Sequence, residues 1–302
     1  MESVIEQIPS LSGFTDIKEL HKGFSDERKF IVSLQNGKQL LLRIAGIEKY
    51  EAKKEEFSVL QNLKLYNVKY SEPLELGVME DVNVCYMVLH FLEGEDAEQL
   101  LPVYTEEEQY RIGLEAGKEL RKMHMYSAPL HMVSWHLRQL EKCQRYVDVY
   151  KQCGISIKND EQIIDFLEEN YQYMEHRPNV FQHDDFHPSN LIVKDKQYVG
   201  AIDFQRYDWG DPYFEFRKIA LFSRGVSIPF SIGQIHGYFG VGNISEEFWR
   251  LYSLYTAMDI FSTVVWTLKV APHTFDKMLD RLYLILEDHD YFKRITPFWY
   301  RA

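Results

Sequence analysis

The segment HDDFHPSN, residues 183 to 190, sets two histidines, two aspartates and an asparagine close together, and Asp203 follows thirteen residues after Asn190. His183, Asp184, Asp185, His187, Asn190 and Asp203 are the side chains whose types and spacing can do chemistry as a group. A carboxylate on a loop leaving a strand can orient a hydroxyl and take its proton, and an amide oxygen a turn later can reach a metal ion on a phosphate chain. A second carboxylate, at the end of the apolar strand VGAI, can chelate Mg²⁺ between phosphates, where hard oxygen ligands are required. That is equipment for phosphoryl transfer. Taken singly, Asp185 and Asp203 read better as turn or cap residues, and His183 and His187 as ordinary buried histidines. The joint pattern between two strands argues for a site.

Such groups must be held by two kinds of structure. The first ninety residues read mostly as strands with one helix. KFIVSL at 29 to 34 and KQLLLRIA at 38 to 45 are β-rich runs separated by Gln35, Asn36 and Gly37, and Asn-Gly between apolar runs is a strong hairpin signal. EKYEAKKEEFSVLQNLKLY, 48 to 66, carries Phe57, Leu60 and Leu63 at helical spacing, and after Pro73 the runs LELGV and NVCYMVLHFL predict two more strands. Beyond Gly94 helices take over. Thr105 and Glu108 form a capping box ahead of YRIGLEAGKELRKMHM, and Ser127 to Pro129 stop that helix. Amphipathic stretches follow at about 134 to 152 and 160 to 176, LIV and YVGAI are short strands around a turn at 194 to 197, and long helical patterns begin at 245 and 275. The division near residues 91 to 95 is a change of class without a disordered spacer, as in two lobes joined by a hinge.

Composition narrows the partners. Thirty-four basic against 46 acidic residues give a charge of −12, which argues against non-specific nucleic-acid binding and is compatible with a cationic ligand. Cys85, Cys143 and Cys153 form no CxxC and suggest neither a disulfide framework nor structural zinc. MESVIEQIPSLSG lacks the pattern of a secretory leader, and IFSTVVW at 260 to 266 is too short to span a bilayer, so a cytoplasmic protein with no membrane partner is expected.

His183, Asp185 and Asn190 stand at the spacing of the H-R-D-L-x-x-x-N catalytic loop of protein kinases, with Asp184 in place of the Arg and Phe186 in place of the Leu. No A-P-E segment follows Asp203, which argues against a protein kinase. HDDFHPSN resembles instead the HGDxHxxN loop of the aminoglycoside phosphotransferase and choline kinase family, IDFQ its metal segment, and GDPYFEF at 210 to 216 its GDPxxDLA continuation. The resemblance covers roughly residues 20 to 220. It implies an α+β, protein-kinase-like two-lobe fold: a small antiparallel sheet with one helix over residues 1 to 92, ending in the hinge, and a larger, mainly helical catalytic and acceptor-binding lobe over 93 to 302.

The same resemblance assigns roles. Asp185 is the base that orients the acceptor hydroxyl, braced by His183, while Asn190 and Asp203 hold Mg²⁺. The turn KGFSDERKF offers Gly23 backbone and the Ser25 hydroxyl to the phosphates of ATP or GTP, although by itself it reads better as an ordinary hairpin turn. Arg43 stands where the family has Lys and can grip a phosphate bidentately. Glu56 is its expected partner, four and seven residues before Leu60 and Leu63, with Glu55 the alternative. The His90 carbonyl and Leu92 amide would meet adenine. His124 reads as a packing residue, Asp211 and Glu215 as supports of the loop, and Asp208 as facing the acceptor. The expected activity is transfer of the γ-phosphoryl group to a small-molecule hydroxyl. Its first acceptor class is an aminoglycoside-type antibiotic, held by carboxylates among Asp208, Glu246, Glu247, Asp259, Glu287 and Asp288. Choline or ethanolamine, macrolides, sugars and amino-alcohol metabolites remain open, as does a catalytically idle nucleotide-binding scaffold.

Overall fold

The computed structural model describes residues 5–21 and 27–301, and its chain divides into two compact units. The first takes the chain up to Gly94 together with Val199–Gln205, and the second takes Glu95–Tyr198 and the residues from Arg206 onward.

In the first unit, β1 (Phe14–Leu20), β2 (Arg28–Leu34), β3 (Gln39–Gly46), β4 (Pro73–Met79) and β5 (Val84–His90) form an antiparallel sheet in the order β1-β2-β3-β5-β4. The β2–β3 turn is the Asn-Gly hairpin, with Gly37 at φ 79° and its N–H donating to the Leu34 carbonyl at 2.9 Å. Period-two alternation sends Phe30, Val32, Leu40, Leu42, Ile44 and Val88 to one face, where Ile5, Ile8 and Leu11 complete a core. Arg43 therefore points to the opposite face, where helix α1 (Tyr50–Leu63) lies against β4 and β5 and buries Glu56, Leu60 and Leu63. The late segment is tied in by backbone: Ser71 N–H donates to the Ala201 carbonyl at 3.0 Å, and Ala201 N–H to that of Lys69 at 3.1 Å. Gly200 makes this possible, since a Cβ there would lie 2.8 Å from Leu92 Cδ1 and 3.0 Å from the Lys69 oxygen.

The second unit is mainly helical. A two-residue strand β6 (Glu95–Asp96) pairs with β8 (Leu191–Lys194), the chain continues through β9 (Gln197–Ala201), whose last three residues belong to the first unit, and β7 (Val180–Gln182) pairs antiparallel with β10 (Asp208–Gly210). Around these pack α2 (Glu106–Met123), α3 (Trp135–Gln152), α4 (Asp160–Asn170), α5 (Ile228–Phe239), α6 (Glu246–Val270) and α7 (Phe275–Asp288). The capping box at α2 is present, with Glu108 N–H on Thr105 Oγ1 at 3.3 Å and Thr105 N–H on Glu108 Oε2 at 3.0 Å. Helix α6 is buried on nearly all sides and has no polar stripe, as expected of a helix at the centre of a bundle.

Two elements between 217 and 245 go beyond the sequence reading. Ile219–Ser223 is a π-helical turn, and it leads towards α5. Helix α5 lies against α2 through glycines on both: Gly113 and Gly117 face the backbone at Phe230 and Gln234, while Gly233 and Gly237 face that at Tyr110 and Leu114. Helix formation by a segment with a proline and two glycines, Gly233 and Gly237, depends on this contact, because the missing side chains let the two backbones meet.

Candidate active site

Strand β7 delivers the chain to the loop that begins at His183. His183 is fully buried, and its Nδ1 accepts the Asp185 N–H at 3.3 Å. Asp184, in the position of the glycine of HGDxHxxN, has φ 60°, a conformation that favours glycine and that aspartate tolerates better than most residues. Its carboxylate accepts from Arg217 Nη2 at 2.7 Å, and Arg217 also holds Asp259 and the Phe214 carbonyl. Glu215 braces the loop through its backbone: its two oxygens accept the N–H groups of Asp184 at 3.0 Å and Phe186 at 3.3 Å. Burial pushes the Glu215 carboxyl up. Asp211 is fully buried under a bidentate Arg177 at 2.8 and 3.0 Å and the Tyr255 hydroxyl at 2.6 Å, so GDPYFEF works as a platform.

The Asp185 carboxylate is the chemical centre of this unit. Lys218 Nζ donates to its Oδ1 at 2.9 Å, His187 Nε2 lies 3.3 Å from the same oxygen, and Asn190 Nδ2 donates to Oδ2 at 3.2 Å. Burial opposes the charge, but His187 and Lys218 outweigh it and hold the carboxyl below the usual carboxylate range. Asp185 is therefore an anion at neutral pH, able to accept a hydroxyl hydrogen bond. The His187 ring stacks on Phe222 at 4.4 Å, and Lys218 Nζ lies 5.5 Å from the centre of the same ring. Lys218 was not among the residues picked from the sequence. It lies 33 positions beyond Asp185, and the only signal was a pair of cations, Arg217 and Lys218, directly after GDPYFEF.

In the first unit Arg43 and Glu56 form the buried ion pair, Nη1 to Oε1 at 2.7 Å, while Glu55 is exposed. Arg43 Nε also donates to Glu27 Oε2 at 2.8 Å, and Lys53 Nζ reaches both Glu27 and Glu56, the latter at 2.7 Å. Burial works against the charge on Arg43, but Glu56 and Glu27 outweigh it and keep the guanidinium above its ordinary value. Asp203, at φ 65°, accepts from Lys29 Nζ on Oδ2 at 3.3 Å, and Lys29 is the cross-strand partner of Arg43. At the end of β5 the His90 side chain is exposed, its carbonyl accepts from the Ser71 hydroxyl at 2.6 Å, and Leu92 is half-buried. Gly23 and Ser25 lie outside the described residues.

The side chains expected at magnesium suit that ion. Asn190 spends its amide nitrogen on the Asp185 carbonyl at 3.0 Å and on Oδ2, which leaves the amide oxygen as its acceptor end. Asp203 offers a carboxylate that, among the described residues, is engaged through Oδ2 by Lys29. Both are hard oxygen donors of the kind Mg²⁺ takes alongside phosphate oxygens.

The acidic residues expected to hold a cationic acceptor are nearly all paired within their own unit. Asp208 accepts from Arg138 at 3.3 Å, Glu246 from Arg250 at 2.8 Å and Glu247 from Arg177 at 2.9 Å. Asp259 holds Arg217, and Asp288 takes Arg224 bidentately at 2.7 and 2.9 Å; Glu287 is exposed. His124 is a packing residue, buried, with Nδ1 2.9 Å from the Tyr238 hydroxyl.

A small antiparallel sheet with one helix and a mainly helical unit carrying an H-x-D-x-x-x-x-N loop define the protein-kinase-like class of phosphotransferases. The model of the phosphotransferase enzyme family known as APH matches residues 16–252, and the chain belongs to that family. The match extends past the last recognisable motif into α6. Among solved structures, the GDP complex of a point mutant of aminoglycoside 2'-phosphotransferase-IIIa superposes with a TM-score of 0.69 at 16% identity, covering 96% of this chain and 97% of that one. The GDP and kanamycin complex of APH(2'')-IIIa gives 0.67 at 17% identity, covering 94% and 97%. A ternary complex of a thermostable APH(4)-Ia mutant with AMP-PNP and hygromycin B gives 0.66 at 14%, again covering 94% and 97%. At these identities the likeness establishes the fold. No curated protein matches this sequence. The protein is a phosphotransferase of the kinase type, and no helix among the described residues is long and apolar enough to cross a membrane.

Proposed function

We propose that the protein transfers the γ-phosphoryl group of ATP or GTP to a hydroxyl of a small molecule, with an aminoglycoside-type antibiotic as the first acceptor class. The observation that carries the phosphotransfer reading is the Asp185 carboxylate, fixed through both oxygens by Lys218, His187 and Asn190 and still 24% exposed. Asp185 orients the acceptor hydroxyl and takes its proton; His183 and Glu215 hold the backbone that aims it. Arg43 steadies the phosphates, and the backbones of His90 and Leu92 receive the base. Gly23 and Ser25 cover the phosphates. Asn190 and Asp203 are ligands for magnesium, which when bound neutralises charge on the phosphate oxygens. Phosphoryl transfer leaves little covalent work to the protein, so these residues act by position and charge. GDP in two of the solved relatives and AMP-PNP in a third support either nucleotide as donor, and kanamycin and hygromycin B in two of them support the aminosugar class. Free cysteines at 85, 143 and 153 fit a reducing compartment, and we place the enzyme in the cytoplasm, where it would confer antibiotic resistance.

One observation favours a second acceptor class. Five of the six candidate carboxylates are already bonded to arginines, and the charge added beside the base is the cation Lys218. A neutral alcohol such as a sugar meets no penalty there. The deciding experiment is Mg²⁺-dependent consumption of ATP and GTP by the purified protein against aminoglycosides, macrolides, choline-type alcohols and sugars, with Asp185→Ala as control. Turnover stimulated by one class names the acceptor. Turnover that survives in Asp185→Ala refutes the base, and nucleotide binding without turnover on any acceptor supports an idle scaffold.

A further inference from the structure

The first unit holds a set of donors that converge on one oxyanion, and the oxyanion is supplied by the chain itself. Glu27 stands just before β2, outside any regular element, yet its side chain is only 5% exposed. Its Oε2 accepts from Arg43 Nε at 2.8 Å and from Gln205 Nε2 at 2.9 Å, and Lys53 Nζ is bonded to Oε1. Glu56 is bound differently. It takes the outer edge of Arg43 through Nη1 at 2.7 Å and Nη2 at 3.4 Å, plus Lys53 at 2.7 Å, and it is anchored on α1. Glu56 alone thus gives Arg43 and Lys53 one carboxylate to share. Glu27 fills what is left: the Nε edge of the guanidinium, a second direction of the ammonium, and a side-chain amide two residues after Asp203. A guanidinium, an ammonium and an amide around a forked oxyanion make a phosphate site.

Charge decides between a permanent and a displaceable carboxylate. Arg43 and Lys53 carry two positive charges and Glu27 and Glu56 two negative ones, so with Glu27 in place the cluster is neutral and offers a nucleotide no attraction. With Glu27 withdrawn it is a net cation that keeps its anchored counter-ion. We propose that Arg43, Lys53 and Gln205 form a phosphate grip, and that Glu27 is its resident anion, exchanged for nucleotide phosphate on binding. Lys53 then supplies to the phosphates the second, ammonium charge beside the arginine. This rests on the nucleotide-dependent reading above and adds three residues to it.

The test is the affinity of the full chain for ADP, GDP and inorganic pyrophosphate by calorimetry, in wild type, Glu27→Gln and Glu27→Asp. Glu27→Gln should tighten all three by about tenfold, the factor expected when the carboxylate fills the grip about nine-tenths of the time. Glu27→Asp, which keeps the charge but shortens its reach, should tighten them less and carries the test if Glu27→Gln does not fold. In the Glu27→Gln background, Lys53→Met should reverse the gain. Unchanged or weaker binding in folded Glu27→Gln or Glu27→Asp makes Glu27 a structural member and overturns the inference. So does a gain seen with nucleotides and absent with pyrophosphate, which would place Glu27 at the nucleoside. Wild-type binding without a gain leaves the phosphotransferase reading intact, whereas no nucleotide binding by any form refutes both.

Discussion

Gly117→Ala sets two effects of opposite sign against each other, and the structure fixes which one wins. In an isolated helix the change adds stability, about 1 kcal/mol, because alanine is the better helix former. In this molecule the new Cβ would lie 2.9 Å from both the Gln234 carbonyl carbon and the Tyr238 amide nitrogen, and closer still to the Gln234 oxygen. These are backbone atoms of α5 and no rotamer change can relieve the overlap. The two helices must part by about 1 Å, and a gap of that size forfeits a quarter to a half of each dispersion contact along the seam. Overpacking of this kind costs roughly 1–3 kcal/mol or more, and separation also strains the His124–Tyr238 and Tyr110–His236 hydrogen bonds, both 2.9 Å. The net expectation is a loss of about 2 kcal/mol, or roughly 4–8 °C in Tm. Gly225→Ala is the matched control, since that glycine is exposed with nothing within 4 Å of an added Cβ, and it should be neutral or slightly stabilising. Thermal melts of the two variants give the answer. If Gly117→Ala melts at or above wild type, as Gly225→Ala should, the close helix contact is refuted.

Lys218→Met should lower kcat by about a hundredfold with little change in the KM for nucleotide, and Lys218→Arg should restore part of it. Loss of the ammonium lets the Asp185 carboxyl rise, so the acid limb of the kcat/KM profile moves to higher pH; an unmoved limb would show that Lys218 does not act on Asp185. Asp203→Asn should weaken nucleotide binding in the presence of Mg²⁺ and leave the metal-free value alone, and an unaltered response to Mg²⁺ in titrations counts against its role as a ligand. Burial pushes His124 down to about 3 and His289 down to about 4, from an ordinary 6.5, and Nε2 of each has no hydrogen-bond partner among the described residues. The unfolded chain therefore binds these protons first, so stability is full above about pH 6.5 and drains away as the pH falls towards 4. His289→Asn, which keeps a donor to the Arg294 carbonyl, should show a shallower acid slope in Tm; an equal slope would exclude His289 as a contributor.

How far the sequence disclosed all this depends on where the information sits. Local signals were sufficient for the β2–β3 turn at Asn36-Gly37, the capping box at Thr105 and Glu108, and the choice of Glu56 over Glu55 for the Arg43 pair, which follows from helical spacing. Helix α5 was illegible for a physical reason. Its glycines 233 and 237 lower helix propensity, and the partner that makes them favourable, Gly113 and Gly117, lies on another helix more than a hundred residues away. The loop around Asp185 was readable as a motif, but the cation that fixes it was not, since Lys218 meets Asp185 only once the platform Asp211–Phe216 has turned the chain back. Asp208, Glu246, Glu247, Asp259 and Asp288 looked like free charge along the chain; each is committed to an arginine, and only for Glu246, four residues before Arg250 on α6, does a short-range pattern link the two.

The π-helical turn at Ile219–Ser223 has a consequence for what changes of chain length the protein can accept. Lys218 precedes the turn and addresses Asp185, while Phe222 lies within it and stacks on His187. Two positions in the loop, two residues apart, are thus matched by two positions four apart. Ile219, Ala220 and Leu221 are buried and apolar, so exchanges among apolar residues of similar size should be absorbed. Deleting one of them would swing Phe222 by about 100° around the helix axis and unpair it from His187 while Lys218 stayed in place. The stretch therefore behaves as a ruler: tolerant in the identity of its residues and intolerant in their number.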